Sequence, residues 1–464
     1  MIDVNDVQSQ LNRTRVRRIV TPTSIEAVQE AIRNAARHDE AVSVAGGRHS
    51  MGGQQFGEQT TLIDTTGMRQ VVHFDRERGL IEVEAGIEWP GLIDSLAAAQ
   101  AGQTEQWGIR QKQTGVDEVT IGGSLASNIH GRGLRFPPII GDVESFILVD
   151  AEGRVLFCSR HENAELFSLA IGGYGLFGVI VRATLRLVPR TKVERLVDVI
   201  AVRDMLPAIS ARMAQGCEYG DCQYSTDLDS ESAAHPGVLA CYRPVAADSV
   251  IPASQRQLSE SQWTELYCLA RTDKKKAFEL YSSYYLSTAG QIYWSDVSQL
   301  AGTLDFYHEG LKRLPPEQHG TEMITEAYVR REELMPFLAD VRDDFVAHGV
   351  DPTYGTIRFI EKDEESFLAW AREPYACIVC NLHVVHSVVG QRKAIADVQR
   401  IIDRAIEHGG SYFLTYHRWA ERRQVEACYP QMPNFLRLKK RYDPHERFQS
   451  EWYRHYVKMF ADAL

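Results

Sequence analysis

The 464-residue sequence predicts an α+β protein of two or three domains. Three observations carry that expectation. Short strands alternate with helices over the first 190 residues, glycine is dense where loops meet those elements, and the texture changes near 195. Beyond that point glycines thin out and helical patterns lengthen. The boundaries read as 1–195 for a first domain, 196–415 for a second and 416–464 for a C-terminal segment rich in aromatics, Arg and Lys.

In chain order, Thr23 followed by Glu26 has the form of a capping box. Ile25, Val28, Ile32 and Ala35 then recur at helical spacing, which predicts an amphipathic helix over 24–38. Residues 41–45 form a short apolar strand. Residues 80–85 alternate, with Ile81 and Val83 on one face and Glu82 and Glu84 on the other. A helix over 89–100 follows. Residues 145–149 and 154–158 flank the turn Ala151-Glu152-Gly153 as a hairpin. A helix over 161–171 and a strand over 178–188 close the first domain. Strands are expected in the second near 239–243, 323–329, 355–360 and 377–386.

Composition limits function. With 44% apolar and 24% charged residues, the chain is ordinary globular material rather than a disordered or collagen-like one. A net charge of −11 without a basic arm disfavours nucleic-acid binding. No stretch approaches the roughly 20 apolar residues that span a bilayer, and the N-terminus lacks a signal-type apolar region. The expectation is a soluble, cytoplasmic protein, monomer or homodimer. Its eight cysteines are sparse, as for reduced thiols, and show no zinc spacing.

Three glycine-rich sites carry the chemistry. Ala45-Gly46-Gly47-Arg48-His49-Ser50-Met51-Gly52-Gly53 follows a strand. Such a loop is either a tight turn or a nest of N–H groups facing an anion. It lacks the GK[ST] of a Walker loop and is not a GxGxxG opening a long helix. Thr114-Gly115, with Ile121-Gly122-Gly123-Ser124-Leu125-Ala126-Ser127-Asn128-Ile129-His130-Gly131, leaves one helical face nearly bare. That suits a flat ring against backbone, or close helix packing. Gly172-Gly173-Tyr174-Gly175-Leu176-Phe177-Gly178 is the third. Together they point to a long, flat, phosphate-bearing cofactor held mainly by backbone.

In the second domain, strand parity sorts residues 377–385. Ile378, Cys380, Leu382 and Val384 share one face; Val379, Asn381, His383 and Val385 share the other. Asn381 and His383 amid apolar neighbours suggest a pocket floor. The same parity separates Cys377 from Cys380 and argues against a redox or metal pair. Thr356 and Arg358 share a face of the strand over 355–360.

These segments resemble the FAD-binding domain of the vanillyl-alcohol oxidase and p-cresol methylhydroxylase (PCMH-type) flavoprotein superfamily. IVTPTSIEAVQEAI, VAGGRHSMGG, LIEVEAGI, TIGGSLASNIHG and LFSLAIGGYGLFGVI occur in the family's order and spacing. YHRWAERRQVEACYP and YDPHERFQSEW are similar to the ends of sugar- and aldonolactone-oxidising members. The resemblance covers nearly the whole chain, most weakly from 195 to 320. Two branches are nearest: the alditol and aldonolactone oxidases, and the decaprenylphosphoryl-ribose oxidases.

The resemblance implies a two-subdomain FAD-binding domain, an α+β substrate (cap) domain with an antiparallel sheet, and a C-terminal segment returning to the FAD domain. It implies FAD bound covalently through His49, the position bonded to the flavin 8α-methyl in covalent members. The ribose-oxidase branch lacks this histidine, which favours the alditol-oxidase side. No cysteine precedes Ile121, so a single link is expected. Ala45, Gly46, Gly47, Arg48 and Ser50 match the pyrophosphate loop. Gly115, Thr120, Gly122, Gly123, Ser127, Asn128 and Ile129 match the segment packing on the ring, and Gly178 and Ile180 the adenine contact. His130 matches a histidine near the flavin.

Arg358 matches a substrate-side arginine, although the family's preceding glutamate is Thr356 here, which puts polyol specificity in question. His417 stands where a lysine or histidine lies beside flavin N1, as a cationic donor or a proton acceptor. The implied activity is oxidation of a CH–OH group in a sugar, polyol or lactone by hydride transfer to flavin N5. Oxygen or another acceptor then reoxidises the flavin. His383 is expected as base, Arg358 as substrate orienter and His417 as charge stabiliser, with Asn381 and His130 beside them. No metal is expected. The rival activities are a flavin-dependent C=C reductase similar to sterol side-chain reductases, and non-catalytic flavin binding.

Overall fold

The computed structural model describes residues 1–228, 235–301, 315 and 319–464. The first domain holds two small sheets. Arg18–Val20, Thr61–Asp64 and Val42–Ala45 form a parallel three-stranded sheet in that order. Val155–Ser159, Val143–Val149, Val179–Arg186, Leu80–Glu84 and Val71–Asp75 form an antiparallel five-stranded one. Val28 and Ile32, from the apolar stripe of the helix Ile25–Arg37, pack with Val42, Ile63, Val149 and Val181 between the two sheets. The chain is thus an α+β protein.

Sequence expectation and structure differ in small, explicable ways. The first helix is capped by Ser24, whose hydroxyl accepts from Ala27 N–H, and not by Thr23. Ser24 holds the extended backbone a cap needs (φ −151°, ψ 164°). The helix expected over 161–171 is only Ala164–Ala170, because Asn163 enters it in a left-handed conformation. The hairpin pairs Val155 with Val149 and Ser159 with Ser145, as the turn required.

The second domain is built on eight antiparallel strands. Their order is Ile292–Trp294, Lys192–Ala201, Pro236–Pro244, Tyr219–Tyr224, Pro352–Ile360, Tyr375–Val385, Gly320–Arg330 and Ser411–Tyr412. The sheet begins at Lys192, a few residues before the texture change. Leu334–His348 and Val388–Glu407 cover one face, packing on each other and on the strand Gly320–Arg330. The C-terminal segment runs back beside the first domain. Val42 N–H donates to the Arg447 carbonyl at 2.7 Å and Gln449 N–H to the Val42 carbonyl at 2.8 Å. Among the described residues, no helix is long and apolar enough to cross a membrane.

Gly410 sits where the long helix Val388–Glu407 turns into the edge strand. A Cβ there would lie 1.7 Å from the Tyr328 carbonyl and 2.8 Å from that of Ala405. Both obstacles are backbone, so neither can swing away. Gly410→Ala is expected to destabilise the fold by roughly 1–3 kcal/mol, the scale of overpacking. Urea midpoints of the two proteins measure it; an unchanged midpoint refutes the close approach.

Candidate active site

The cavity between the two domains encloses about 970 Å³. Its floor is made by the three glycine-rich segments and its roof by one face of the eight-stranded sheet.

Two loops of the floor touch. A Cβ on Gly46 would fall 2.1 Å from Thr120 Oγ1, and one on Gly47 would fall 2.2 Å from the Glu118 carbonyl. Only glycine allows this approach. Arg48 is in a left-handed conformation (φ 61°), and its guanidinium turns to Asp64 at 2.6 Å, so its backbone faces the trough. Thr120 caps the helix Ile121–Ser127 by accepting from Gly123 N–H. Gly122 N–H donates to the Ala85 carbonyl at 2.7 Å, which pins that helix to the strand Leu80–Glu84. Its small-residue face is left toward the cavity.

The cavity is lined by Ala45, Gly46, Gly47, Arg48, His49, Ser50, Gly115, Thr120, Gly122, Gly123, Ser127, Ile129, Gly178 and Ile180, all expected cofactor residues. His49 Nδ1 is buried there without a hydrogen-bond partner. Burial lowers its pKa, and the Glu118 carboxylate only partly opposes this, so the ring is held neutral. A long trough of glycine and small residues, with an unpartnered imidazole nitrogen at one end, fits an FAD. Asn128 does not line it. Its amide donates to Asp363 at 2.8 Å and Ser366 at 3.2 Å and accepts from Ile140 N–H, so it is saturated as a clasp to the second domain.

The roof gathers charge around Glu326, on the strand Gly320–Arg330. Tyr328 donates to Glu326 Oε2 at 2.7 Å, Tyr416 donates to Oε1 at 3.0 Å, and His130 Nε2 stands 3.0 Å from Oε2. His130 Nδ1 lies 3.2 Å from the Gly131 carbonyl. Both ring nitrogens therefore lie beside oxygen atoms. Burial would raise the Glu326 carboxyl, but His130, Arg358 and the Tyr328 hydroxyl hold it down to about 2. Arg358 is buried and lines the cavity, with Nε unpartnered. Asn381 also lines it, with Oδ1 unpartnered.

Cys377 Sγ is 3.9 Å from His130 Nε2. His130, Glu326 and Cys377 are close enough to share a metal. Burial keeps the Cys377 thiol protonated, however, and the carboxylate is already met by three donors, so the trio reads as a hydrogen-bond network.

Two expected catalytic residues lie elsewhere. His383 shares a face with Asn381 but stands one pair further along, off the cavity, with Nδ1 3.2 Å from Glu322 Oε1. Glu322 lines the cavity in its place. His417 is also off the cavity, stacked between Tyr412 (8° between planes) and Trp419 (12°). Burial pushes its pKa down to about 3, which favours the neutral ring, and its Nδ1 is buried without a partner.

Sequence reading missed Glu322, Glu326, Tyr354, Tyr416 and Arg132, all of which line the cavity. The signal was present. Glu322, Ile324, Glu326 and Tyr328 alternate on one face of a strand, the same parity that marked Asn381.

Residues 16–159 match the FAD binding domain family. L-gulonolactone oxidase of Bos taurus is 30% identical over 193 residues, covering 41% of this chain and 42% of the relative. L-gulono-1,4-lactone dehydrogenase of Mycobacterium tuberculosis is 32% identical over 177 residues, 38% and 39% of the two chains. Cytokinin dehydrogenase 2 of Arabidopsis thaliana is 28% identical over 168 residues, 36% and 32%. Over the matched segments, the chain spans about two fifths or less of the length of these curated relatives.

Because the folded-state pKa of Glu326 lies below its ordinary value of 4.5, its charge adds stability above that value. This stability is lost as pH falls from about 4.5 toward about 2. Urea midpoints at pH 5 and pH 3 are expected to drop less for Glu326→Gln than for the parent. Equal drops refute the depressed carboxyl.

Proposed function

We propose that this chain, whose residues 16–159 match the FAD binding domain family, is a PCMH-type flavoprotein that oxidises a CH–OH group of a sugar, polyol or sugar lactone. The observation that carries the reading is the single cavity running from the glycine trough to the buried Glu326–His130–Arg358 cluster. Relatives named as lactone oxidases and dehydrogenases support the substrate class.

FAD, when bound, supplies the two-electron acceptor, later reoxidised by oxygen or another acceptor. Residues 45–50, 120–123 and 178–180 would hold it, and His49 would tether it covalently through its ring. The roof residues handle the substrate. Arg358 donates to the reacting oxygen and orients it. Tyr416 already points its hydrogen at Glu326 Oε1, so its oxygen lone pair is left to take the substrate's hydroxyl proton. Its own proton passes in the same step to Glu326 Oε1, the atom it already faces. The ionised Glu326 keeps Tyr416 turned that way. Glu322, backed by His383 and the Thr353 hydroxyl, bonds a further substrate hydroxyl.

Acid precipitation tests the tether. The parent is expected to give a yellow pellet and His49→Ala a colourless pellet with yellow supernatant. A colourless parent pellet removes the bond and leaves FAD binding intact. Anaerobic bleaching of the flavin by sugars, aldonolactones or polyols, neutral and acidic, tests the activity; no bleaching by any of them refutes it. Tyr416→Phe should then lower kcat by about 10²-fold or more, the scale of a lost acid–base group, with a smaller change in KM. An unchanged kcat removes Tyr416 from the proton path.

A further inference from the structure

Beyond the reacting end, the cavity holds a second cluster of charge. Arg132 follows His130 by two residues and Arg195 lies on the strand Lys192–Ala201; both line the cavity. Their side chains converge on one phenol. Arg132 Nη1 donates to Tyr242 Oη at 3.1 Å, and Arg195 donates to the same oxygen from Nε at 3.2 Å and Nη2 at 3.0 Å. A phenol oxygen has fewer acceptor sites than these three donors need. Arg132 is 8% exposed, and its Nε is buried without a partner.

The charge is equally unmet. Among the described residues, neither guanidinium makes an ion pair with a carboxylate, and Asp221 acts on Arg132 only through space. Arg195 instead lies over the rings of Tyr242, Tyr285 and Tyr293, at 5.4, 5.3 and 4.9 Å from their centroids. These rings cover the face of the guanidinium, while its edge donates to Tyr242 and, from Nη1, to Thr288 Oγ1 at 3.1 Å. The buried Arg132 and the half-buried Arg195, beside Asp221, form a site with surplus positive charge. Such a surplus is costly unless an anion fills it. Tyr354 links this cluster to the reacting end, since its hydroxyl feels both Arg358 and Arg132.

We propose that Arg132 and Arg195 form a subsite for an anionic group, a carboxylate or a phosphate ester, carried by the substrate. The substrate class is then an acidic sugar derivative rather than a neutral lactone or polyol. This rests on the oxidoreductase reading for the reacting end, but anion binding can be measured without turnover.

The test is calorimetric titration of the FAD-loaded protein with inorganic phosphate and, separately, with acetate. At least one should bind with a Kd that rises about tenfold or more in Arg195→Gln and in Arg132→Gln, the scale of a lost charge-assisted bond. Arg195→Lys, which keeps the charge, should fall between. Melting temperature and flavin content report whether the variants are folded. Phosphate binding alone assigns a phosphate ester, and acetate binding alone a carboxylate. No binding of either anion, or binding that the folded variants do not alter, overturns the subsite. Flavin bleaching by neutral and acidic sugars is scored separately. Bleaching without anion binding sinks only the subsite, and anion binding without bleaching sinks only the oxidoreductase reading.

Discussion

A carboxylate buried between two domains must have its charge met, and Glu326 is met from both sides. His130 reaches it from the loop after the helix Ile121–Ser127 of the first domain. Tyr328 comes from its own strand and Tyr416 from the loop that follows the sheet's edge strand. The desolvation cost of an isolated ion is several kcal/mol, and only this number of donors offsets it. The relative position of trough and roof follows from that requirement. If the sheet slid by one residue pair, the carboxylate would lose its imidazole.

The clasp at Asn128 serves the same end by a different means. Its left-handed backbone (φ 48°) stops the helix, and its amide is committed to Asp363, Ser366 and Ile140. Trp370 donates to its carbonyl at 3.0 Å and lies against His130 at a tilt of 55°, with centroids 5.2 Å apart. The chain therefore leaves the small-residue helix in one direction only, and His130 arrives at the sheet already oriented. Asn128, expected as a cofactor contact, spends its amide on this interface.

The trough was legible in sequence because its determinants are local. Gly46, Gly47, Gly122 and Gly123 are needed where backbone approaches backbone, and such needs are written in consecutive residues. The roof was legible only in part. Parity placed Asn381 and His383 on one face of their strand, but parity says nothing about how far along the strand the cavity extends. His383 fell just past its end. Glu326 escaped notice because its role depends on partners at positions 130, 358 and 416, brought together by sheet order and not by spacing. His417 misled because a histidine among aromatics reads equally as a donor or as a ring in a stack. Burial among Tyr412, Trp419 and Thr325 decides for the stack.

The roof also constrains what can occupy it. Arg358 Nε and Asn381 Oδ1 are buried without partners, and Glu322 and Asp221 line the same face. An apolar guest would leave Arg358 Nε and Asn381 Oδ1 desolvated and unpaired, at a cost of about 1–3 kcal/mol for a neutral group and more for a charged one. A guest bearing hydroxyls at matching positions returns those bonds. Sites built on hydrogen-bonding groups reject analogues that lack the matching hydroxyl far more strongly than apolar pockets reject a missing methylene. Discrimination here thus follows from what the sheet leaves unsatisfied: a guest with polar atoms facing Arg358 Nε and Asn381 Oδ1 meets them, and an apolar one does not.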